Sequence, residues 1–439
     1  MKIKKSILVL VITVMLLSAC GGGGSKNSSG GGGSIDSDGN ITLDFWYALG
    51  GDSGKAIEEL VNRFNESHPN IKVVATYQGN YTTAMAKGYS AITGNTLPNV
   101  AQLGAAPLLG SSGAIIPVKD FTATDSSFDF GKIHPAFLEY NTAAGELWSL
   151  PFNNSVPILL YNKDLFVAAG LDPEDPPEDI DELLEYAKAL TLTDSSGTPT
   201  HYGLNTKDDT HWYLSTLFLE NGAQIVKEDE SEVLYNSPEA VAMLQTWSDW
   251  VNVHKVMPPN QHAEAQSDFL AGKLGMLMSS TSVVSGIQKD AAFPVGSAMF
   301  PMVNGVRKVP LGGGSLVIFK NDNEQIRNAS WEFVKFMISE ESSIYLTSQS
   351  GYIPIYKDAL DWPEIDAIIE DNPLRLAAIN SLPYAVSIPV FSALGNSDLA
   401  LQNAVEKIEL GTADPQTALN DAKTSVDHAI KTQFSTPSP

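Results

Sequence analysis

The chain has 439 residues, and its 27 Lys and Arg against 51 Asp and Glu give a formal net charge of −24. That length exceeds one ordinary domain and predicts two lobes, and a hydrophobic content of 43% is enough for a core in each. An acidic surface repels phosphate backbones and argues against nucleic-acid binding, but as an ordinary solvated surface it identifies no ligand.

Residues 1–19 are predicted to be a lipoprotein signal peptide. A basic start precedes an apolar run from Ile7 to Leu17, which is shorter than the roughly 20 residues that a bilayer span needs. The next residues, "LSAC", resemble a bacterial lipobox, and this resemblance implies cleavage before Cys20 and diacylation of that cysteine. An ordinary secretory signal followed by a chance cysteine is the alternative.

Residues 20–39 are rich in glycine and serine and predict a flexible tether. Two acyl chains on Cys20 would give a lasting membrane anchor, since each buried methylene adds about 0.8 kcal/mol. GGGGS is also a common engineered linker, so an artificial origin is the alternative. Because Cys20 is the only cysteine of the chain, no internal disulfide can form.

Residues 41–77 predict a βαβ unit. The segment "ITLDFWYALG" alternates apolar residues as a strand does, the segment after Gly50-Gly51 has apolar residues at helical spacing, and "IKVVATY" gives a second strand. Asp52 or Ser53 is predicted to cap the helix, and Pro69 to end it. Such a crossover builds a parallel sheet.

Strands and helices continue to alternate after this unit. Buried strands are predicted at 156–161 and 314–320, helices with one apolar face at 180–190, 325–339 and 401–408, and a last helix from Pro415. The interleaving predicts an α/β fold.

No catalytic or metal-binding motif emerges from the sequence. The seven histidines have no metal-ligand spacing, and the pair His262 and Glu264 lacks the cysteines of a zinc deaminase. No G-x-S-x-G nucleophile motif is present. "LGGGS" lacks the lysine of a P-loop and precedes a predicted strand, so Gly312–Gly314 predict either a close backbone approach or a tight turn. We therefore expect no metal, no cofactor and no enzymatic activity.

Aromatic and amide-rich junctions stand at the predicted strand ends. They are "FWYALGG", "YQGNY", "LPFNNSVP", "DTHWYL", "MSSTS" and "QSGYIP". Sheets of α/β proteins hold their ligands outside the strand ends, in clefts with aromatic walls and a few polar groups. These junctions therefore predict a small-molecule site.

Segments that run in order from about residue 40 to 430 resemble one protein family. They include "FWYALGGDSGKAIEELVNRFNESHPNIKV", "GNYTTAMAKG", "LPFNNSVPILLYNKDLFVAAGLDPEDPP", "FLAGKLGMLMSS", "GGGSLVIFK", "SWEFVKFMIS", "TSQSGYIPI" and "ALGN". The chain resembles the extracellular solute-binding proteins of family 1, which serve carbohydrate-type ABC importers. Within that family it is most similar to the glycerol-3-phosphate-binding group.

The resemblance implies a type II periplasmic-binding-protein fold with two hinged α/β lobes and a ligand cleft between them. One lobe would comprise residues 40–152 and 313–352, and the other residues 156–309 and 357–439. The hinge would lie near 153–155, 311–312 and 353–356. Closure of the lobes on the ligand is the signal that a permease reads.

The predicted ligand-binding residues come from the resemblance and from residue chemistry together. The resemblance places Tyr81, Ser155, one hydroxyl among Ser280, Thr281 and Ser282, Gly313 and Tyr352 at binding positions, with Trp212 near a ring-stacking position. A sugar offers apolar faces on which aromatic rings could stack, and the candidates are Tyr47, Tyr81, Trp212 and Tyr352. It also offers hydroxyl groups for hydrogen bonds, and the candidates are Asn153, Asn154, Ser155 and Asn396.

Two positions depart from the glycerol-3-phosphate-binding group. Ala393 stands where that group has an arginine before "LGN", and Ala105 or a close neighbour stands where it has a glutamate. A phosphate in a dry cleft favours a bidentate arginine, so the loss of this residue weakens a phosphate assignment. Small side chains at both positions would also make room for a larger ligand.

The predicted function is that of a monomeric substrate-binding lipoprotein of an ABC importer. It would take up a sugar, an oligosaccharide or a related polyol at the outer face of the cytoplasmic membrane, or in the periplasm of a cell with two membranes. A receptor for glycerol-3-phosphate or a glycerophosphodiester is the alternative, and a choline-type head group would suit an aromatic cage. A surface adhesin or sensor with the same clamp is the second alternative.

Overall fold

The computed structural model describes residues 32–435, except residues 390 and 392. The predicted signal peptide, Cys20 and most of the predicted tether lie outside the described residues. Within the described ranges, none of the helices combines the length and the apolar character that a membrane span requires.

The strands are numbered in chain order. They are β1 (Ser34–Ile35), β2 (Ile41–Tyr47), β3 (Ile71–Tyr77), β4 (Val100–Leu103), β5 (Thr142–Ala143), β6 (Glu146–Leu147), β7 (Leu150–Ser155), β8 (Pro157–Asn162), β9 (Leu192–Thr193), β10 (Pro199–Thr206), β11 (Leu274–Ser280), β12 (Val295–Met299), β13 (Val309–Pro310), β14 (Gly312–Ile318) and β15 (Ala385–Val386).

The helices are numbered in the same way. They are α1 (Gly51–Ser67), α2 (Tyr81–Gly94), α3 (Val118–Thr122), α4 (Pro135–Tyr140), α5 (Lys163–Ala168), α6 (Ile180–Leu190), α7 (Thr210–Glu220), α8 (Pro238–Asn252), α9 (Ala265–Leu270), α10 (Val284–Asp290), α11 (Glu324–Met337), α12 (Glu340–Gln349), α13 (Pro363–Asp371), α14 (Arg375–Ser381), α15 (Leu394–Glu409) and α16 (Pro415–Ser435). Short 3₁₀ turns lie at Ala106–Ser112, Phe130–Lys132, Thr281–Val283, Ala359–Asp361 and Leu382–Tyr384.

The first sheet has the strand order β1-β2-β4-β14-β7, with β3 also paired to β2. β2 and β3 are parallel over seven residue pairs, from Ile41↔Ile71 to Tyr47↔Tyr77. This pairing, with α1 as the crossover, confirms the predicted βαβ unit. β14 then runs antiparallel between β4 and β7.

The second sheet has the strand order β12-β8-β11-β10-β9. Its central strands β8 and β11 are buried along their whole length. Ile158 and Leu160 of β8 face the cluster formed with α9, α10 and α14, whereas Leu159 and Tyr161 face the main core with α7. Coverage of both faces explains the continuous apolar run of this strand, and the mixture of helices and two sheets confirms the α/β class.

Three stretches of chain, here termed the crossing stretches, run next to one another at the end of β7. Val156 links β7 to β8, and Leu311 links β13 to β14, where Gly312 pairs with Ser155. At the third stretch, the Ile353 N–H donates to the Asn154 carbonyl at 2.9 Å. The predicted hinge segments fall on these three stretches, and the predicted lobe boundaries remain predictions.

Two local predictions are wrong. No side chain caps α1, because the helix begins at Gly51 and so puts Asp52 and Ser53 inside its first turn; Asp52 pairs instead with Lys55, Oδ1 to Nζ, at 2.8 Å. Gly312–Gly314 do not precede a strand but form the start of β14, since β7 provides hydrogen-bond partners for them. The helix predicted at 401–408 is the second half of the longer α15.

His262 has a structural role in the core of the second lobe. Its Nε2 lies 2.9 Å from Oε1 of Glu409 at the end of α15, and this carboxylate also accepts hydrogen bonds from Trp247 Nε1 and the Asn260 N–H, each at 2.7 Å. Thr206, at the end of β10, contacts His262 Nδ1 at 3.0 Å. The described residues contain no cluster of His, Cys, Asp and Glu that could hold a metal ion.

Glu220, at the end of α7, is a buried carboxyl group close to the second crossing stretch. It is 1% exposed, and its Oε1 accepts a 3.2 Å hydrogen bond from the Lys308 N–H just before β13. Its Oε2 has no hydrogen-bond partner among the described residues. Burial raises the pKa of Glu220 to about 8, although the Lys308 N–H and the Arg307 charge oppose the shift.

We predict that Glu220→Gln makes the protein more stable in alkaline solution. A carboxyl whose pKa is raised by folding keeps its proton in the folded state after the unfolded chain has lost it. Its contribution to stability therefore falls as the pH rises from the unfolded value near 4.5 to about 8. Urea unfolding at pH 5 and pH 8.5 should show a gain on the order of 2 kcal/mol or more for the variant at the higher pH. The exposed Glu66→Gln is the control, and an equal effect of Glu220→Gln at both pH values would contradict the prediction.

Candidate functional site

A buried amide network lies where the first sheet meets the crossing stretches. Asn153 on β7 donates from Nδ2 to the Tyr81 hydroxyl at 2.7 Å. Gln102 on β4 donates from Nε2 to Asn153 Oδ1 at 2.8 Å, and its Oε1 accepts from the Ala48 N–H at 2.7 Å. Because each amide is held by two partners, the Tyr81 hydroxyl is fixed in position.

Tyr81 and Tyr352 meet at this network from different parts of the chain. Tyr81 is the first residue of α2, whose N-cap Asn80 accepts from the Thr83 N–H at 2.9 Å. Burial raises the pKa of both hydroxyls, and hydrogen bonding to Asn153 partly opposes this in each. The two hydroxyl groups therefore stay protonated at physiological pH and can donate hydrogen bonds.

The glycine strand β14 approaches the network very closely. A Cβ on Gly313 would lie 2.0 Å from the Asn153 carbonyl oxygen, and the residue has a φ of +95°. A Cβ on Gly314 would lie 2.5 Å from Gln102 Nε2. Of the two predicted explanations for the glycine run, the close backbone approach is the one that the structure shows.

Trp212 on α7 brings the second lobe against the same strand. A Cβ on Gly312 would lie 2.9 Å from Cζ2 of the Trp212 ring and 3.3 Å from the Ser155 hydroxyl. The Trp212 indole N–H is buried and has no hydrogen-bond partner among the described residues. Buried N–H groups are almost always paired, so this donor is available to an acceptor that the described residues do not supply.

The predicted hydroxyl residues of the second lobe line the neighbouring stretch. Thr281 Oγ1 accepts a 3.4 Å hydrogen bond from the Val156 N–H. A Cβ on Gly351 would lie only 1.6 Å from the Thr281 carbonyl oxygen, so the two backbones approach closely. Ser282 donates from its hydroxyl to Ser280 Oγ at 2.9 Å. These residues therefore sit beside the crossing stretches, next to the segment that carries Tyr352.

Asn154 follows Asn153 on β7 and contacts the predicted hinge segments. Its Nδ2 donates to the Gly312 carbonyl at 3.1 Å, and its buried Oδ1 has no partner in the described part of the chain. Its backbone carbonyl accepts from the Ile353 N–H. Asn154 thus contacts two of the crossing stretches, one through its side chain and one through its backbone.

Tyr140, on α4, was not predicted and joins the group from the first lobe. Its hydroxyl donates to the Gly313 carbonyl at 3.3 Å. Burial raises its pKa to about 12, with a further increase from the Asp398 carboxylate and an opposing effect of a hydrogen bond to the Ala105 backbone. Tyr140 therefore contacts Gly313 of β14 and lies within the electrostatic influence of Asp398, a residue of the second lobe.

Charged residues that the sequence did not suggest stand on the second-lobe side. Asp398 on α15 has its Oδ1 3.8 Å from His211 Nε2, and Gln402 Nε2 lies 3.1 Å from His211 Nδ1. Burial raises the pKa of Asp398, which His211 opposes and Asp209 reinforces. Burial also lowers the pKa of His211 and raises that of Asp209.

The structure does not bring two of the predicted residues to this group. Tyr47 is 4% exposed, packs against Phe45 and Tyr77, and donates its hydroxyl proton to Glu58 on α1, so it belongs to the core under the first sheet. Asn396 is exposed on the first turn of α15. Their role in binding stays a prediction without support from the contacts of these side chains.

Gln102 and Tyr140 could have been found from weak signals. Gln102 is the one polar residue in the buried strand "VAQL", where an amide needs a specific partner. Tyr140 ends the short helix "PAFLEY", in which every residue except Glu139 and Tyr140 is apolar, and it is a typical core residue by sequence. Asp398 had no such signal, because a carboxylate in a helix of an acidic chain is ordinarily solvated.

Comparisons with known proteins agree on one family. The model of bacterial extracellular solute-binding proteins matches residues 59–377. The sn-glycerol-3-phosphate-binding periplasmic protein UgpB of Escherichia coli K12 is 28% identical over 403 residues, which are 87% of this chain and 90% of that protein.

Two solved structures show the same fold. UgpB of Mycobacterium tuberculosis in complex with glycerophosphocholine superposes with a TM-score of 0.79 at 22% identity, covering 90% of this chain and 99% of that one. The cyclic alpha-maltosyl-1,6-maltose binding protein of Arthrobacter globiformis has a TM-score of 0.78 at 22% identity, covering 90% and 100%. The predicted two-lobed type II fold is therefore confirmed.

We predict that Gly313→Ala destabilises the protein, because the new methyl group would meet the Asn153 carbonyl in a backbone conformation that strains L-residues. A residue forced into such a conformation costs about 1–3 kcal/mol, and the clash adds to this. Thermal and urea unfolding measure the effect. Gly395→Ala is the control: it lies in α15 with no atom within 4 Å of the added Cβ, so it should be neutral or slightly stabilising. Equal stability of the two variants would contradict the prediction.

Proposed function

Because the chain belongs to the family of bacterial extracellular solute-binding proteins, we propose that it captures an uncharged sugar, oligosaccharide or related polyol between its lobes and delivers it to an ABC permease. The site combines aromatic rings, neutral amides and hydroxyl groups, which suit a ligand with apolar faces and many hydroxyls. The proposal includes no catalytic step.

The unpaired indole N–H of Trp212 is the observation that carries this proposal. It is buried beside Gly312 and Ser155, where the second lobe contacts the crossing stretches. A solute hydroxyl or ring oxygen bound there would accept its hydrogen bond, and the indole face would cover part of the sugar ring. One such hydrogen bond contributes about 0.5–1.5 kcal/mol, so several polar groups must act together.

A glycerophosphodiester is the second candidate, and the comparisons favour it. UgpB of Escherichia coli is named for sn-glycerol-3-phosphate, and the Mycobacterium tuberculosis protein was solved with glycerophosphocholine. Against it stands Ala393, a buried residue just before α15 that offers no charge to a phosphate. We therefore rank the uncharged carbohydrate first.

We also propose that Cys20 anchors the protein at the outer face of the cytoplasmic membrane. The family is extracellular, and a tethered receptor remains close to its permease. The support for the anchor itself is the "LSAC" sequence after an apolar run.

Substitution of Trp212 should separate its hydrogen bond from its ring face. With a solute that a calorimetric screen of sugars, polyols and glycerophospho-compounds identifies, Trp212→Phe should weaken binding about 2- to 13-fold, the loss expected for one hydrogen bond. Trp212→Ala should weaken it further, because the ring face is lost as well. Trp148→Phe is the control: its indole donates to the Ala143 carbonyl at 3.2 Å, so its loss should affect stability but not affinity. Unchanged affinity in both Trp212 variants would contradict the proposed site.

Replacement of Cys20 tests the anchor. In cells, the wild-type protein should fractionate with membranes and incorporate labelled fatty acid, whereas Cys20→Ala should do neither. Cys20→Ala should also leave solute affinity unchanged, since the proposed site is built from residues Tyr81 to Asp398 and does not include Cys20. Fatty-acid labelling that persists in Cys20→Ala would refute the assignment.

A further inference from the structure

The charged residues around the N-terminal turn of α7, which carries Trp212, are mainly negative. Asp398 extends from α15 toward His211, at 3.8 Å, and Asp209 stands at the N-cap of α7, immediately before the turn that carries His211 and Trp212. Asp209 does not cap its helix, although aspartate is among the best N-cap residues, so its carboxylate is left free to act elsewhere.

The two carboxylates influence one another and the groups around them. Asp209 raises the pKa of Asp398, and Asp398 raises the pKa of Tyr140 on the opposite lobe. Lys207 is the cation that acts on Asp209, but its Nζ also lies 3.9 Å from the neighbouring Asp208. The charged neighbours that shift the pKa of Asp398 are His211, whose own pKa burial lowers, and Asp209.

At the same end of the proposed cleft, position 393 is an alanine rather than an arginine. Ala393 is fully buried at the start of α15, five residues before Asp398, and its methyl group packs in the core. Ala105, which hydrogen-bonds Tyr140 through its backbone, is likewise uncharged. A solute placed between Trp212 and Tyr140 would thus meet carboxylates rather than cations.

We propose that Asp398, together with Asp209, is a specificity-determining residue that excludes phosphorylated and carboxylated solutes from the cleft. This inference rests on the proposed function and adds to it the charge of the solute. An ionised carboxylate only accepts hydrogen bonds, so it favours solute hydroxyls, which can donate, and repels an anionic oxygen, which cannot. Interactions between charges inside a partly desolvated cleft are screened less than those on the surface.

The test compares a neutral solute with its anionic counterpart. Calorimetry measures maltotriose, its monophosphate ester and glycerol 3-phosphate against the wild-type protein, Asp398→Asn, and Asp209→Asn combined with Asp398→Asn. Asp38→Asn, in the exposed turn between β1 and β2, is the control for a change of net charge alone.

We expect wild type to bind maltotriose at least tenfold more tightly than the monophosphate. Asp398→Asn should reduce this ratio about fivefold and the double variant more, whereas Asp38→Asn should leave it unchanged. Higher salt should reduce the ratio in wild type and have less effect in the double variant. An unchanged ratio in the double variant would overturn the proposal, as would tight binding of either phosphate compound to wild type.

Failure of the proposed function would look different. If wild type binds no neutral solute of the calorimetric screen, the carbohydrate assignment fails while the charge inference is decided by glycerol 3-phosphate. Binding gained only in the double variant would support the exclusion of anions, and no gain would overturn it. Thermal unfolding of each variant shows whether it remains folded, and the Asp→Asn exchanges keep the side-chain shape.

Discussion

The close approach of β14 to β7 is the constraint on which the rest of the structure depends. Gly313 can pass the Asn153 carbonyl only without a Cβ, and this contact sets Gly312 beside Ser155, where two of the three crossing stretches lie next to each other. The bridge from Ile353 to Asn154 adds the third. Because all three stretches are hydrogen-bonded in one small area, we expect the lobes to move by bending about that area.

The same constraint organises the proposed site. The Asn153 carbonyl lies against Gly313, and the Asn153 side chain hydrogen-bonds Tyr81 and Gln102. One residue is therefore part of both the predicted hinge and the first-lobe side of the proposed cleft. Buried amides that are fully paired hold one geometry and require no rearrangement when a solute arrives. By contrast, the Trp212 N–H on the second lobe has no partner among the described residues, so a solute that accepts its hydrogen bond would add a contact that the chain lacks there.

The sequence predicted elements whose pattern is local and failed where tertiary contacts decide. The βαβ unit followed from alternation and helical spacing. The family resemblance indicated Tyr81, Ser155 and Trp212 and residue chemistry added Asn153, and the structure brings all four to the crossing stretches. Tyr47 stands at a strand end as those residues do, but its side chain points to α1, and the direction of a side chain at a strand end depends on register. Asp398 could not be identified, because it is one of 51 acidic residues in the sequence. Only the packing of α15 against α7 brings it to His211 and lets its charge influence Tyr140.

The acidity of the chain therefore has two physical meanings. On the open surface, carboxylates are hydrated and screened within a Debye length of about 8 Å at physiological salt, so they favour solubility and carry little information about the solute. Asp398 is 41% exposed, and the protein around it already raises its pKa by desolvation. A solute bound beside such a charge would be screened from it less than it is from the charges of the open surface. In the proposed selection of solutes, the location of the carboxylate therefore counts for more than the net charge of −24.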